Sequence, residues 1–395
     1  MLTPFGSIVD VLYSGIVFIF GFFMAYSWSR YSKTPFSRVL CLYIWHTFFS
    51  VFYIYFSLTD VADATTYYLW SLSPVSFSVG TDFVVVFLSF FSSVLGFGYV
   101  PSFLVFNIIG SVGLFAFYSS LRHASAGSKL WARRLVLLIV FLPSASFWSV
   151  AIGKDSIAFM ATGLALWAAL DLKHRNLLMA FSILAMFMVR PHIAGIMVLA
   201  LCISYVMQSN RSLAARALLI AIGSGVAALA VPFAINYAGL SQVSPEAVSS
   251  YIEARQSYNQ DGGGGVDISS MSFPMQLFTY LFRPLSIEAR SVFQLAASLD
   301  NVVLLIVFLM GVYSWKNRKY TFKSENTSFL VLFSLGCWVV LALTTANLGI
   351  SVRQKWMFLP MIFYVLVSVL GRDRKSRIGG GHMRLYSVQN VPKNA

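Results

Sequence analysis

Long apolar runs alternate with short polar clusters along the whole chain, and the length of the runs sets the element type. Residues 8–28, 39–58, 101–121, 213–235, 292–315 and 328–346 each come close to the ~20 apolar residues that carry a helix across a bilayer. Membrane strands would instead give ~10-residue segments of alternating polarity. Shorter apolar runs at 135–150, 156–170, 176–189, 193–207 and 356–370 continue the same rhythm. The pattern predicts an all-α polytopic membrane protein with about 11 transmembrane helices.

The polar clusters differ in charge, and that difference orients the chain. Arg30, Lys33 and Arg38 follow the first run, and Arg122, Lys129, Arg133 and Arg134 follow the run at 101–121. Lys173, His174 and Arg175, then Lys316, Arg318 and Lys319, mark later turns of the same kind. Such an excess of Lys and Arg belongs to cytoplasmic loops, which puts the N-terminus outside and the C-terminus inside. The segment 59–100 carries Asp60, Asp63 and Asp82 with no Lys or Arg, so it reads as external. Within it, 82–95 is apolar but short for a crossing, and parity leaves it none. It is expected to lie in the interface or to re-enter. Residues 1–371 then form one integral-membrane domain with external loops at 59–100 and 237–291. The basic tail, 372–395, is cytoplasmic and has the composition of a disordered segment.

Composition agrees: 58% of residues are hydrophobic and 11% charged, whereas a soluble domain carries about 25% charged residues. Mean hydropathy is +0.75. The net charge of +14 resides in the short inner clusters, so it reports topology and argues against a nucleic-acid partner. Cys41, Cys202 and Cys337 all sit inside apolar runs, with no disulfide framework and no CxxC metal site. The chain has no HExxH, GxSxG or paired His/Cys cluster, which speaks against a zinc protease or a serine hydrolase. Neither a metal nor a cofactor is expected. Four glycines at 262–265 lack the Lys-Ser/Thr pair of a phosphate-binding loop and read as a flexible external loop.

The informative residues are those that break the charge rule. The stretch LPSASFWSVAIGKD at 142–155 interrupts two apolar runs with Lys154 and Asp155 on the outer side. The same side receives Asp60, Asp63, Asp82, Arg190, His192, Arg283, Glu288, Arg290, Arg353 and Lys355. Lys154, Arg190, Arg283, Arg353 and Lys355 abut apolar segments, where a cation is expensive unless it meets an anion. Pyrophosphate suits them, since an arginine fork matches phosphate oxygens and lysine adds a point charge. These five, with Glu288 and Arg290, form the candidate diphosphate- and substrate-binding set. Asp60, Asp63, Asp155 and His192 are candidates for proton transfer. Blander readings stay open beside these. Lys154, Asp155 and Arg190 suit structural ion pairs, Arg353 and Lys355 suit headgroup snorkelling, and His192 suits a helix start. Trp70, Trp148, Tyr251 and Tyr258 are candidates for stacking on sugar rings.

An acidic first external loop, an interfacial helix and short paired helices together resemble the GT-C class of integral-membrane glycosyltransferases. The strings FLPSASFWSVAIGKDS (141–156), MVRPHIAG (188–195), LFRPLSIEARSVFQLAASLDN (281–301) and TTANLGISVRQKWMFLP (344–360) resemble those of bacterial polysaccharide polymerases of the Wzy and EpsG type. That likeness covers roughly residues 40–370. It implies a glycan polymerase of the bacterial inner membrane, acting at its outer face. Donor and acceptor would be oligosaccharides linked to polyprenyl diphosphate, and a chain-length regulator is a possible partner. Asp60 and Asp63 fall where the GT-C class puts its catalytic acid, but as spaced residues, not an adjacent pair. A transferase of single sugars from polyprenyl phosphate, an O-antigen ligase, and a non-enzymatic glycolipid flippase stand as alternatives.

Overall fold

The structure is a computed structural model describing residues 3–60, 62–207, 264–289, 291–317 and 326–370, with isolated positions between 214 and 257. Most of the predicted run 213–235, most of the loop 237–291 and the tail 372–395 lie outside the described residues. Helix α1 is Ile8–Ser32, α2 Phe36–Thr59, α3 Asp63–Ser71, and α4 Thr81–Ser89, which a π-helical turn continues over Phe90–Val94. Then come α5 (Tyr99–Ala124), α6 (Leu130–Val140), α7 (Pro143–Ser149), α8 (Lys154–Ala169), α9 (Asn176–Val189) and α10 (Pro191–Val206). After the gap follow α11 (Phe273–Phe282), a 3-10 turn at Ser286–Glu288, α12 (Val292–Asn317) and α13 (Thr327–Thr344). Last are α14 (Leu348–Gln354), a 3-10 turn at Lys355–Met357, and α15 (Leu359–Val369). No strand occurs among the described residues.

The expectation of 11 spans and a GT-C-like architecture needs correction. Among the described residues six helices are long and apolar enough to cross a membrane, or seven if the pair Leu348–Met357 and Leu359–Val369, bent by 66°, makes one span. The reason is length. At ~1.5 Å per residue, α9 and α10, with 14 and 16 residues, reach only ~21 and ~24 Å, short of the ~30 Å hydrocarbon layer. The stretch 82–95 is likewise too short for a crossing. Prolines set several of the breaks. Pro143, Pro191 and Pro360 each sit in the first turn of a helix, where the missing N–H costs no hydrogen bond and the preceding chain cannot continue as helix.

The core is built round α5. Of its most apolar window 83% is buried, against 22% for α1, so α5 is an internal helix and α1 a peripheral one. It packs on α1, α2, α8 and α15, most extensively on α8. Gly113 and Gly163 permit that contact: a Cβ on Gly113 would stand 2.7 Å from Met160 Cα, and one on Gly163 would strike the Gly113 carbonyl. Small residues at such a crossing let two backbones approach where lipid supplies no hydrophobic drive. A buried polar group ties the same layer together. His46 of α2 contacts Asn107 of α5 through Nδ1 at 2.8 Å and Ser149 of α7 through Nε2 at 3.0 Å.

Candidate functional site

The turns between α7 and α8 and between α9 and α10 meet α3 and α14 in one charged network. Asp155 is the second residue of α8, where a helix N-terminus favours an anion. Its Oδ1 accepts from Arg190 Nη2 at 2.8 Å, and its Oδ2 accepts from Arg353 Nε. Arg353 also donates through Nη1 to Asp63 Oδ2 at 2.9 Å. Arg190 occupies the non-helical residue between α9 and α10, which Pro191 keeps out of the helix. Arg353 lies in the last turn of α14, a helix started by Asn347, whose side chain accepts from the Gly349 and Ile350 amides. Lys154 donates to Thr81 Oγ1 at 3.0 Å, at the head of α4. The loop before α4 is pinned there too, since the Gly80 amide donates to the Met188 carbonyl at 2.7 Å. Lys154, Arg190 and Arg353 thus set three cations against the carboxylates of Asp63 and Asp155.

Beside this network opens a cavity of about 1430 Å³. Phe49, Phe52 and Phe56 of α2 with Phe147 and Trp148 of α7 form an aromatic wall, and Arg283 and Glu288 form a polar one. Trp148 belongs to both places, because the Arg353 guanidinium carbon lies 5.9 Å from its ring centre. Arg283 donates to Glu288 Oε1 from Nε at 2.8 Å and from Nη2 at 2.5 Å. Those bonds hold the Glu288 carboxyl below the usual carboxylate range. Gly264 and Gly265 also line the cavity. The described end of the glycine run is tied to residues 346–348. The Leu348 amide donates to the Gly264 carbonyl at 2.8 Å and the Val266 amide to the Ala346 carbonyl at 2.9 Å.

The sequence-predicted residues therefore separate into groups. Asp63, Lys154, Asp155, Arg190 and Arg353 come together, and Arg283 with Glu288 stands across the cavity. Asp60 caps the end of α2 and is exposed, and His192 is exposed on the first turn of α10. Lys355 does not face the outer surface, contrary to expectation: only 1% exposed, it donates to Asn301 Oδ1 and toward the Leu281 carbonyl at 3.5 Å. It binds protein carbonyls where a ligand phosphate was expected. Asp155, offered as a proton acceptor, has each oxygen engaged by a guanidinium, which makes it a counter-ion. Trp70 is exposed, while Arg290, Tyr251 and Tyr258 lie outside the described residues. Sequence reasoning missed Asp300, Asn301 and His46. Asp300 left a signal, a lone carboxylate inside the apolar run 292–315. Among the described residues no group of three His, Cys, Asp or Glu side chains is placed to hold a metal ion.

No family model matches the chain, and no curated protein or solved structure does so either, the GT-C class included.

Proposed function

We propose that this membrane protein is a polysaccharide polymerase. It transfers a growing glycan from polyprenyl diphosphate to the non-reducing end of a lipid-linked repeat unit, at the outer face of a bacterial inner membrane. The observation that carries this reading is the charged network with its surplus cation beside a large cavity walled by aromatic rings. A diphosphate supplies the further negative charge that three cations set against two carboxylates call for, and Arg190 retains a buried Nε with no hydrogen-bond partner to offer it. Aromatic rings suit an isoprenoid chain or a sugar face.

The chemistry needs no external activation, because the sugar already carries its leaving group. The acceptor hydroxyl oxygen attacks the anomeric carbon, the bond from that carbon to diphosphate oxygen breaks, and the hydroxyl proton goes to a carboxylate. Asp63 fits that last role better than Asp155, since its side chain is 51% exposed and only one of its oxygens meets Arg353. The cations stabilise the departing diphosphate as its charge develops.

The test is a glycan ladder and a lipid-linked pool from cells lacking the protein. Loss of long chains with accumulation of single repeat units on polyprenyl diphosphate supports the polymerase. A truncated unit means a single-sugar transferase, full-length polymer left on the carrier means a ligase, and units trapped on the inner leaflet mean a flippase. Any of these last three overturns the proposal.

A further inference from the structure

Two adjacent residues of α12 hold opposite walls of the cavity. Asp300 Oδ2 accepts from the Ser144 amide at 2.7 Å, at the start of α7, whose far end presents Trp148. Trp356 Nε1 donates to Ser144 Oγ at 3.1 Å, so the same residue is fixed from a second side. Asn301 Nδ2 donates to the Pro284 carbonyl at 3.0 Å, immediately after Arg283. The Lys355 amine then donates to Asn301 Oδ1 and toward the Leu281 carbonyl, just before Arg283. Asp300, Asn301 and Lys355 are all buried, at 4%, 0% and 1% exposure, so none can touch a ligand in the cavity.

We propose that Asp300, Asn301 and Lys355 are positioning residues. They form a sealed bracket that sets the Arg283 wall of the cavity against the Ser144–Trp148 wall. Arg283 sits between two backbone carbonyls, Leu281 and Pro284, that this bracket grips on either side. Its guanidinium is thereby aimed together with Glu288, whose Oε2 accepts from the Leu285 amide at 2.7 Å. Carbonyls gripped by buried donors are costly to release, which makes the loop stiff. For a polymerase the consequence is substrate orientation, and that consequence alone rests on the function proposed above.

The experiment separates the two. Asn301→Asp keeps an acceptor for Lys355 but removes the donor to Pro284, and Lys355→Met removes the amine at similar volume. Phenylglyoxal modifies arginine at a rate set by accessibility, and mass spectrometry reads each site in the full-length protein in detergent. Both variants should label Arg283 about fivefold faster than wild type, the change one lost hydrogen bond allows, while exposed Arg133 keeps its rate. Equal rates at Arg283 in a folded Asn301→Asp protein overturn the bracket whatever the protein catalyses. If Lys355→Met does not accumulate, Asn301→Asp alone decides. In an extension assay, Asn301→Asp should raise KM with kcat little changed. Added to Arg283→Ala it should cost nothing further, whereas additive losses overturn positioning through Arg283.

Discussion

Two charged clusters lie within one helical assembly and are built on opposite principles. In the outer one, Asp63, Asp155, Arg190 and Arg353 pair side chain to side chain, and the network reaches solvent through Asp63. In the inner one, Asp300, Asn301 and Lys355 spend most of their bonds on backbone groups of neighbouring segments and are sealed from solvent. Side-chain ion pairs at a partly wet boundary can exchange partners with an incoming anion. Carbonyls held in a dry interior cannot, because each release leaves an unsatisfied group. The first arrangement is suited to binding and the second to holding.

That contrast breaks most visibly at Asp155. Asp155→Ala leaves Arg190 and Arg353 without their shared counter-ion and should cost about 3–5 kcal/mol, read as a lower unfolding midpoint in detergent. A midpoint close to wild type would mean that the arginines are not held as described. Lys355→Met should cost less, about 1–3 kcal/mol, since it strands two acceptors while Asp300, the carboxylate that faces the amine, keeps its bond from the Ser144 amide. A loss equal to that of Asp155→Ala would erase the distinction between the clusters. Asp63→Asn should lower stability by under ~1 kcal/mol, because its pair is half exposed. Its extension rate should nevertheless fall ~10²–10⁴-fold, the usual worth of a proton acceptor, and an undiminished rate would remove Asp63 from that role.

The smallest effect belongs to the Arg283–Glu288 pair. The folded carboxyl of Glu288 titrates below its ordinary value, so its contribution is present above the unfolded pKa and disappears as pH falls through the lowered folded one. The stability difference between wild type and Glu288→Gln should be under ~1 kcal/mol near neutrality and shrink toward zero in that acid range. A difference that grew on acidification would reverse the assignment.

Much of this was legible in the sequence and some could not be. The apolar run at 176–189 coincides with α9, because only length and hydropathy decide it. The pairing of Asp155 with Arg190 and Arg353 agrees with the expectation that an ionised group set between apolar runs has to find a partner. Lys355 was misplaced because it stands two residues after Arg353, and neighbours at that spacing point to different sides of a helical turn. One meets Asp155 and the other the interior. The docking of Gly264 on Leu348 depends on two loops distant in the chain, which no local pattern records. The number of spans was overcounted for a related reason. Hydropathy marks α8 as apolar but does not fix where the helix ends, and at 16 residues α8 is too short to cross.

The central claim is that the outer network binds the diphosphate leaving group. It is tested most directly by the lipid-linked glycan ladder of cells carrying Arg190→Ala, with the amount of membrane-inserted protein measured alongside. The expected result is single repeat units in place of long chains, with insertion at the wild-type level. Unchanged long-chain product from that variant would contradict the account.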